Sequence, residues 1–146
     1  PPPAAVTEEV IHEPVTETIV SEEVTEELPE DLAQLNAQGY LEDAFFDTDR
    51  FDLTPEARES LAANAAWLQK HPTISILVEG HCDERNTREY NLALGERRAS
   101  AARDYLVFLG IDSQRIRTIS YGEERPVAMG NDEQSWAQNR RVELRK

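Results

Sequence analysis

Before Arg50 the sequence contains no lysine or arginine. Pro1 to Asp43 carries twelve Asp and Glu, whereas the remainder sets seventeen acids against fifteen bases, so most of the net charge of −14 lies in the first third. A chain without a basic stripe lacks the electrostatic footprint of a nucleic-acid binder, and no nucleic-acid partner is expected. Cysteine is nearly absent as well. Cys82 stands alone, which excludes an internal disulfide. No apolar run is long enough to span a bilayer, no signal peptide is visible, and no cysteine near the start offers a site for acylation. The chain as it stands is therefore expected to be soluble. Also missing are a Gly-rich phosphate loop, a G-x-S-x-G elbow and a Cys–His nucleophile pairing, so binding is expected rather than catalysis.

What is present divides in two. Pro1 to about Glu30 is low in complexity, with V-T-E-E-V, V-T-E-T-I and V-T-E-E-L beginning at Val6, Val15 and Val24, a spacing of nine. That period matches no solenoid repeat. Dense like charge, few aromatics and five prolines predict a disordered tether over residues 1–30. Extended by self-repulsion, it would reach at most ~100 Å. Residues 31–146 are long enough for one domain.

In that domain, Asp31 to Gly39 suggests a short helical lead-in, and Leu41 to Asp47 a first strand. Phe45, Phe46 and Phe51 are expected mostly in the core. Thr54-Pro55 predicts a helix start, with Ala57, Leu61, Ala65 and Leu68 as its buried stripe and His71-Pro72 as its stop. Ile74 to Val78 is an almost continuous apolar run suited to an interior strand, ended by Gly80. Asn86 with Glu89 resembles a capping box, opening a helix that runs to Gly110. Ile116 to Tyr121 alternates as a third strand, Trp136 begins a short helix, and Arg141 to Lys146 closes as a strand. The class is α/β, a mixed sheet of about four strands with two long helices packed on it.

One residue breaks the pattern of the second helix. At ~100° per residue, Leu94, Ala101, Ala102, Tyr105, Leu106 and Leu109 form one apolar arc, and Arg98 falls near its middle. A guanidinium there requires a carboxylate or a ligand, or else a path along which its stem can reach solvent. An anion site fits, because arginine offers a carboxylate two parallel hydrogen bonds. Asp83, in the loop entering the helix, is the nearest partner of opposite sign.

The segment G-H-C-D-E-R-N-T-R-E-Y-N-L-A-L-G-E-R-R-A resembles the signature of OmpA-like peptidoglycan-binding domains. The likeness extends through F-F-D-T-D-R-F-D-L at Phe45, S-Y-G-E-E-R-P at Ser120 and N-D-E-Q-S-W-A-Q-N-R-R at Asn131, covering about Leu41 to Lys146. Within the family, D-E-R-x-T-x-E-Y and S-Y-G-E-E-R-P are most similar to peptidoglycan-associated lipoproteins. The resemblance implies the α/β sandwich and a non-enzymatic adaptor joining outer membrane to cell wall. It implies that Asp83 and Arg98 hold the diaminopimelate residue of the stem peptide, with further contacts from Phe46, Asp47, Arg85 and Leu94. Phe46 and Leu94 could equally be core, and Asp47 a turn cap. A TolB-like periplasmic partner is implied, as is a position at the periplasmic face of the outer membrane, held by a lipid anchor that this chain does not include. A barrel porin or a flagellar stator would be the alternative home for such a domain.

Two positions depart from the lipoprotein pattern. Asn86 stands where glycine is usual, and asparagine tolerates a left-handed backbone better than other side chains. Cys82 stands where Thr or Ala is usual, and reads as a small half-buried side chain rather than a reactive thiol. His81, Asp83 and Glu84 invite a competing reading as a metal-dependent hydrolase. No second His or Cys group completes a ligand set, so no metal, cofactor or catalytic residue is expected.

Overall fold

The computed structural model describes residues 41–146. The tether over Pro1 to Glu30 and the lead-in over Asp31 to Gly39 lie outside the described residues.

Helix α1, Pro55–Lys70, starts as its sequence demands. The Thr54 hydroxyl accepts from the Ala57 N–H at 3.0 Å. Pro55 occupies the first turn, where its missing donor costs nothing. Ala57, Leu61, Ala65 and Leu68 are buried, joined by Asn64. Asn64 also explains a correction to the first strand, expected over Leu41 to Asp47 and observed as the two residues of β1, Ala44–Phe45. Its side chain accepts from the Glu42 N–H at 2.7 Å and donates to the Glu42 carbonyl at 2.8 Å, taking the backbone groups that a neighbouring strand would have used. At the other end, a turn from Asp47 to Arg50, with Asp49 at φ 60°, stops the strand.

The remaining strands and α-helices are β2 (Ile76–His81), α2 (Arg88–Phe108), β3 (Ile116–Gly122), α3 (Glu133–Asn139) and β4 (Arg141–Arg145). The sheet order is β1-β4-β2-β3. Strands β2 and β3 run parallel, joined through α2, as parallel neighbours require a long crossover. Strand β4 is antiparallel to both β2 and β1. This is the expected mixed-sheet α/β sandwich. Leu61 and Leu68 of α1, Leu106 of α2, Val78 of β2 and Val142 of β4 are fully buried in one core.

Three local expectations are corrected. Gly80 does not end the strand but lies inside β2, where a Cβ would overlap the Gly95 carbonyl oxygen of α2. A Cβ on Gly95 would in turn strike the Ser120 hydroxyl of β3. Helix and sheet backbones therefore touch, which seats the first half of α2 low over the strand ends. The α2 N-cap is Thr87, not Asn86: its hydroxyl accepts from the Tyr90 N–H at 3.1 Å. Asn86 instead takes φ 75° and donates from its side chain to Asp49 at 3.1 Å, so the two left-handed residues face each other. Finally, only Phe46 of the three phenylalanines is core; Phe45 and Phe51 are about half exposed. Strand alternation turns Phe45 away from Phe46, and Phe51 lies beyond the turn beneath the Arg97 guanidinium. At its far end α2 closes with Gly110 at φ 109° and the paired bonds Gly110 N–H to Val107 O and Ile111 N–H to Leu106 O, the Schellman arrangement that its glycine signalled.

Candidate functional site

From His81 the chain leaves the sheet into the 82–87 loop, fastened from both sides. The Cys82 N–H donates to the Gly122 carbonyl at 2.8 Å. Buried Asn91, on the first turn of α2, donates to the carbonyls of Asp83 and Arg85 at 3.3 and 2.7 Å. Cys82 is buried, its thiol donates to the Asn91 carbonyl at 3.2 Å, and burial pushes its pKa up to about 12. That thiol is inert, as a Thr-like reading requires.

Asp83 is buried too, 7% exposed, yet ionised. Burial alone would raise its carboxyl, but hydrogen bonds from the Arg85 side chain and backbone, with help from Arg140, hold it below the usual carboxylate range. Arg85 reaches the two carboxylate oxygens at 3.1 and 2.8 Å, and Arg140 stands 3.5 Å away. The Arg85 side chain is about one-third exposed and lies on the Trp136 ring, 4.2 Å from its centroid. Trp136 donates in turn to Glu84 at 3.2 Å. Arg140, at the end of α3, bridges the Phe46 carbonyl at 2.9 Å and Glu133 at 2.8 Å.

Arg98 does not pair with Asp83. Fully buried, it donates to the carbonyls of Arg50 at 2.8 Å, His81 at 3.0 Å and Asp47 at 3.0 Å, tying the 47–50 turn to the end of β2. The Phe46 ring lies 5.2 Å from the guanidinium carbon, a cation–π support. Each nitrogen spends one N–H, and of the five on a guanidinium two remain. The charge of Asp83 is among those opposing the downward pull of burial on the Arg98 pKa.

The other expected residues are placed as follows. Asp47 is exposed and lines a cleft of about 400 Å³ with Phe45, Thr54 and Arg140. Leu94, 6% exposed, backs a second cleft of about 250 Å³ with Asp49, Phe51, Tyr90 and Arg97. His81, Asp83 and Glu84 do not converge: their side chains go respectively to Glu79, to Arg85 with Arg140, and to Trp136. The hydrolase constellation is not assembled. Arg140 and Trp136 were not singled out from the sequence. Both lie in the N-D-E-Q-S-W-A-Q-N-R-R stretch that carries the resemblance, but nothing in the sequence attached a role at the site to either.

Among solved structures, the peptidoglycan-associated lipoprotein of Burkholderia pseudomallei superposes with a TM-score of 0.68 at 45% identity, over 70% of this chain and 87% of that one. The OmpA-like domain of FopA1 from Francisella tularensis gives 0.62 at 29% identity, over 70% of this chain and 68% of that one. The peptidoglycan-associated lipoprotein of Mesorhizobium japonicum is 58% identical over 98 residues, 67% of this chain and 58% of the relative. The chain thus spans less than two thirds of the length of the curated relatives it matches. The profile of the OmpA family matches residues 45–140. That match runs from β1 to the residue before β4 and contains the Asp83 loop and all of α2, so the chain belongs to the OmpA family.

Proposed function

We propose that this domain binds the diaminopimelate-containing stem peptides of peptidoglycan, and so links the outer membrane to the cell wall without catalysing a reaction. The observation that carries this is Asp83: an ionised, buried carboxylate whose bidentate partner, Arg85, is exposed enough to swing away. The free end of diaminopimelate presents an ammonium and a carboxylate. The ammonium replaces Arg85 on Asp83, and the carboxylate takes the two remaining N–H groups of Arg98. Because Arg98 is fully covered, binding requires the exposed 47–50 turn to give way. Phe46 supports Arg98 from below, while Asp47, Arg85 and Leu94 flank the approach.

Identities of 45% and 58% to peptidoglycan-associated lipoproteins, against 29% to FopA1, favour a lipoprotein-like adaptor over another envelope assembly. In that setting the domain would sit in the periplasm, tethered to the outer membrane by an anchor outside this chain, within a Tol-Pal-like system that includes a TolB-like partner. No helix among the described residues is long and apolar enough to cross a membrane. The test is co-sedimentation with purified peptidoglycan, challenged with free stem peptides. A diaminopimelate peptide should release the protein, and a peptide with lysine at that position, lacking the second carboxylate, should not. Equal release by both peptides would remove Arg98 from the binding site.

A further inference from the structure

The face of the sheet turned away from the helices holds a cluster that this reading does not use. Glu79 of β2 lies directly opposite Glu143 of β4 in the antiparallel register. Asp43, one residue before β1, extends the acidic row, and burial followed by the charge of Glu143 pushes its carboxyl up to about 6. Like charges opposed across a ladder destabilise a sheet unless a cation lies between them. His81 of β2 stands beside the pair, with Nε2 3.1 Å from Glu79 Oε1. It is 1% exposed, and its Nδ1 is buried without a hydrogen-bond partner. One donor atom from each of Glu79, His81 and Glu143 lies within 4.8 Å of the other two.

We propose that Glu79, His81 and Glu143 form a binding site for a divalent transition-metal ion of the zinc class, behind the loop that carries Asp83. One imidazole and two carboxylates are a donor set suited to zinc and leave a coordination position for water. Glu143 is already oriented for the task. Arg141 holds its Oε2 at 2.6 Å and is itself fixed on the carbonyls of Asn139 and Arg125. Arg145 touches Oε1 only at 3.4 Å and is half exposed, so it can release that oxygen. A carboxylate ligand held by a hydrogen-bonding neighbour is the usual second support of such sites. The bound ion would join β2 to β4 and relieve the opposition of Glu79 and Glu143. Its coordination is independent of peptidoglycan, so the two proposals stand or fall separately.

The test titrates zinc into the whole chain in competition with a chromogenic chelator, alongside thermal melts with and without the metal. The wild type should take up one equivalent and melt at higher temperature. Glu79→Gln and Glu143→Gln should each weaken uptake at least ~10-fold, by analogy with losses in the outer shell of metal sites. His12→Ala should leave it unchanged. Uptake that persists in both glutamine variants would place the metal elsewhere and overturn the proposal, as would no uptake by the wild type. Should a variant fail to fold, the imidazole nitrogen resonances of His81 in the wild type decide. They move on adding one equivalent of zinc if the site is real, and stay fixed if it is not.

Discussion

Arg98→Ala removes the donors of three carbonyls and the cation above Phe46 in one step. Hydrogen bonds to a charged group contribute ~1.5–3 kcal/mol each, and the exposed turn can rewet part of the loss. A net cost of at least ~2 kcal/mol, seen as a fall in melting temperature of ~10 °C, is expected. Arg98 is thus a stabilising residue as well as a proposed ligand contact. Its position on the buried arc was legible because helical spacing is regular. Its partners were not, since a backbone carbonyl leaves no mark in a sequence. Asp83 behaves differently. Its folded pKa is lowered, so the stability its ion pairs give is fully present above the ordinary value of 3.8 and is lost as pH falls through the lowered folded value. Melting temperatures of wild type and Asp83→Asn should differ by a constant amount from pH 8 to pH 5 and converge only below pH 4. Cys82→Thr should fold and bind as the wild type does, because the Asn91 carbonyl that accepts from the thiol can accept from a hydroxyl. Loss of peptidoglycan binding with an unchanged melt would show a role for the thiol.

Helix α2 crosses the sheet in close backbone contact at Gly80, Gly95 and Ser120. Gly95→Ala should destabilise the domain by ~1–3 kcal/mol in denaturant titration, the range for overpacking a filled interior. Adding Ser120→Ala removes the hydroxyl that the new methyl strikes and should restore part of the loss, a coupling that a double-mutant cycle reads directly. Independent, additive losses would mean that the contact is not limiting. Elements with strong periodicity were legible from sequence: α1 and α2 appear where the pattern put them, and the interior strand overlaps its expected run but is displaced toward His81. Edges were not. β1 shrank because Asn64, a long-range partner invisible to local reading, takes the backbone of Glu42. The α2 cap moved to Thr87 because Asn86 is engaged by Asp49, 37 residues away. The site roles of Trp136 and Arg140 were hidden for the same reason, as they arise only when α3 folds back on the Asp83 loop.

At the scale of the molecule, charge and fold separate. Pro1 to Asp43 carries twelve acids and no base, whereas residues 44–146 set seventeen acids against fifteen bases, so residues 31–146 should bind without the acidic segment before them. A chain beginning at Asp31 should retain the full affinity of the whole protein for peptidoglycan, and a marked loss would assign the acidic segment a direct contact. In the proposed function, Asp83 receives the ligand while Arg98 holds the 47–50 turn to the end of β2 until the ligand arrives. That division of roles is tested most directly by titrating Asp83→Ala against purified peptidoglycan and melting the same sample. Affinity should fall about ten- to a hundredfold, as for a lost charge-assisted contact, in a variant that stays folded and melts lower only by what the ion pairs to Arg85 and Arg140 contributed. Wild-type affinity in the folded variant would contradict that division.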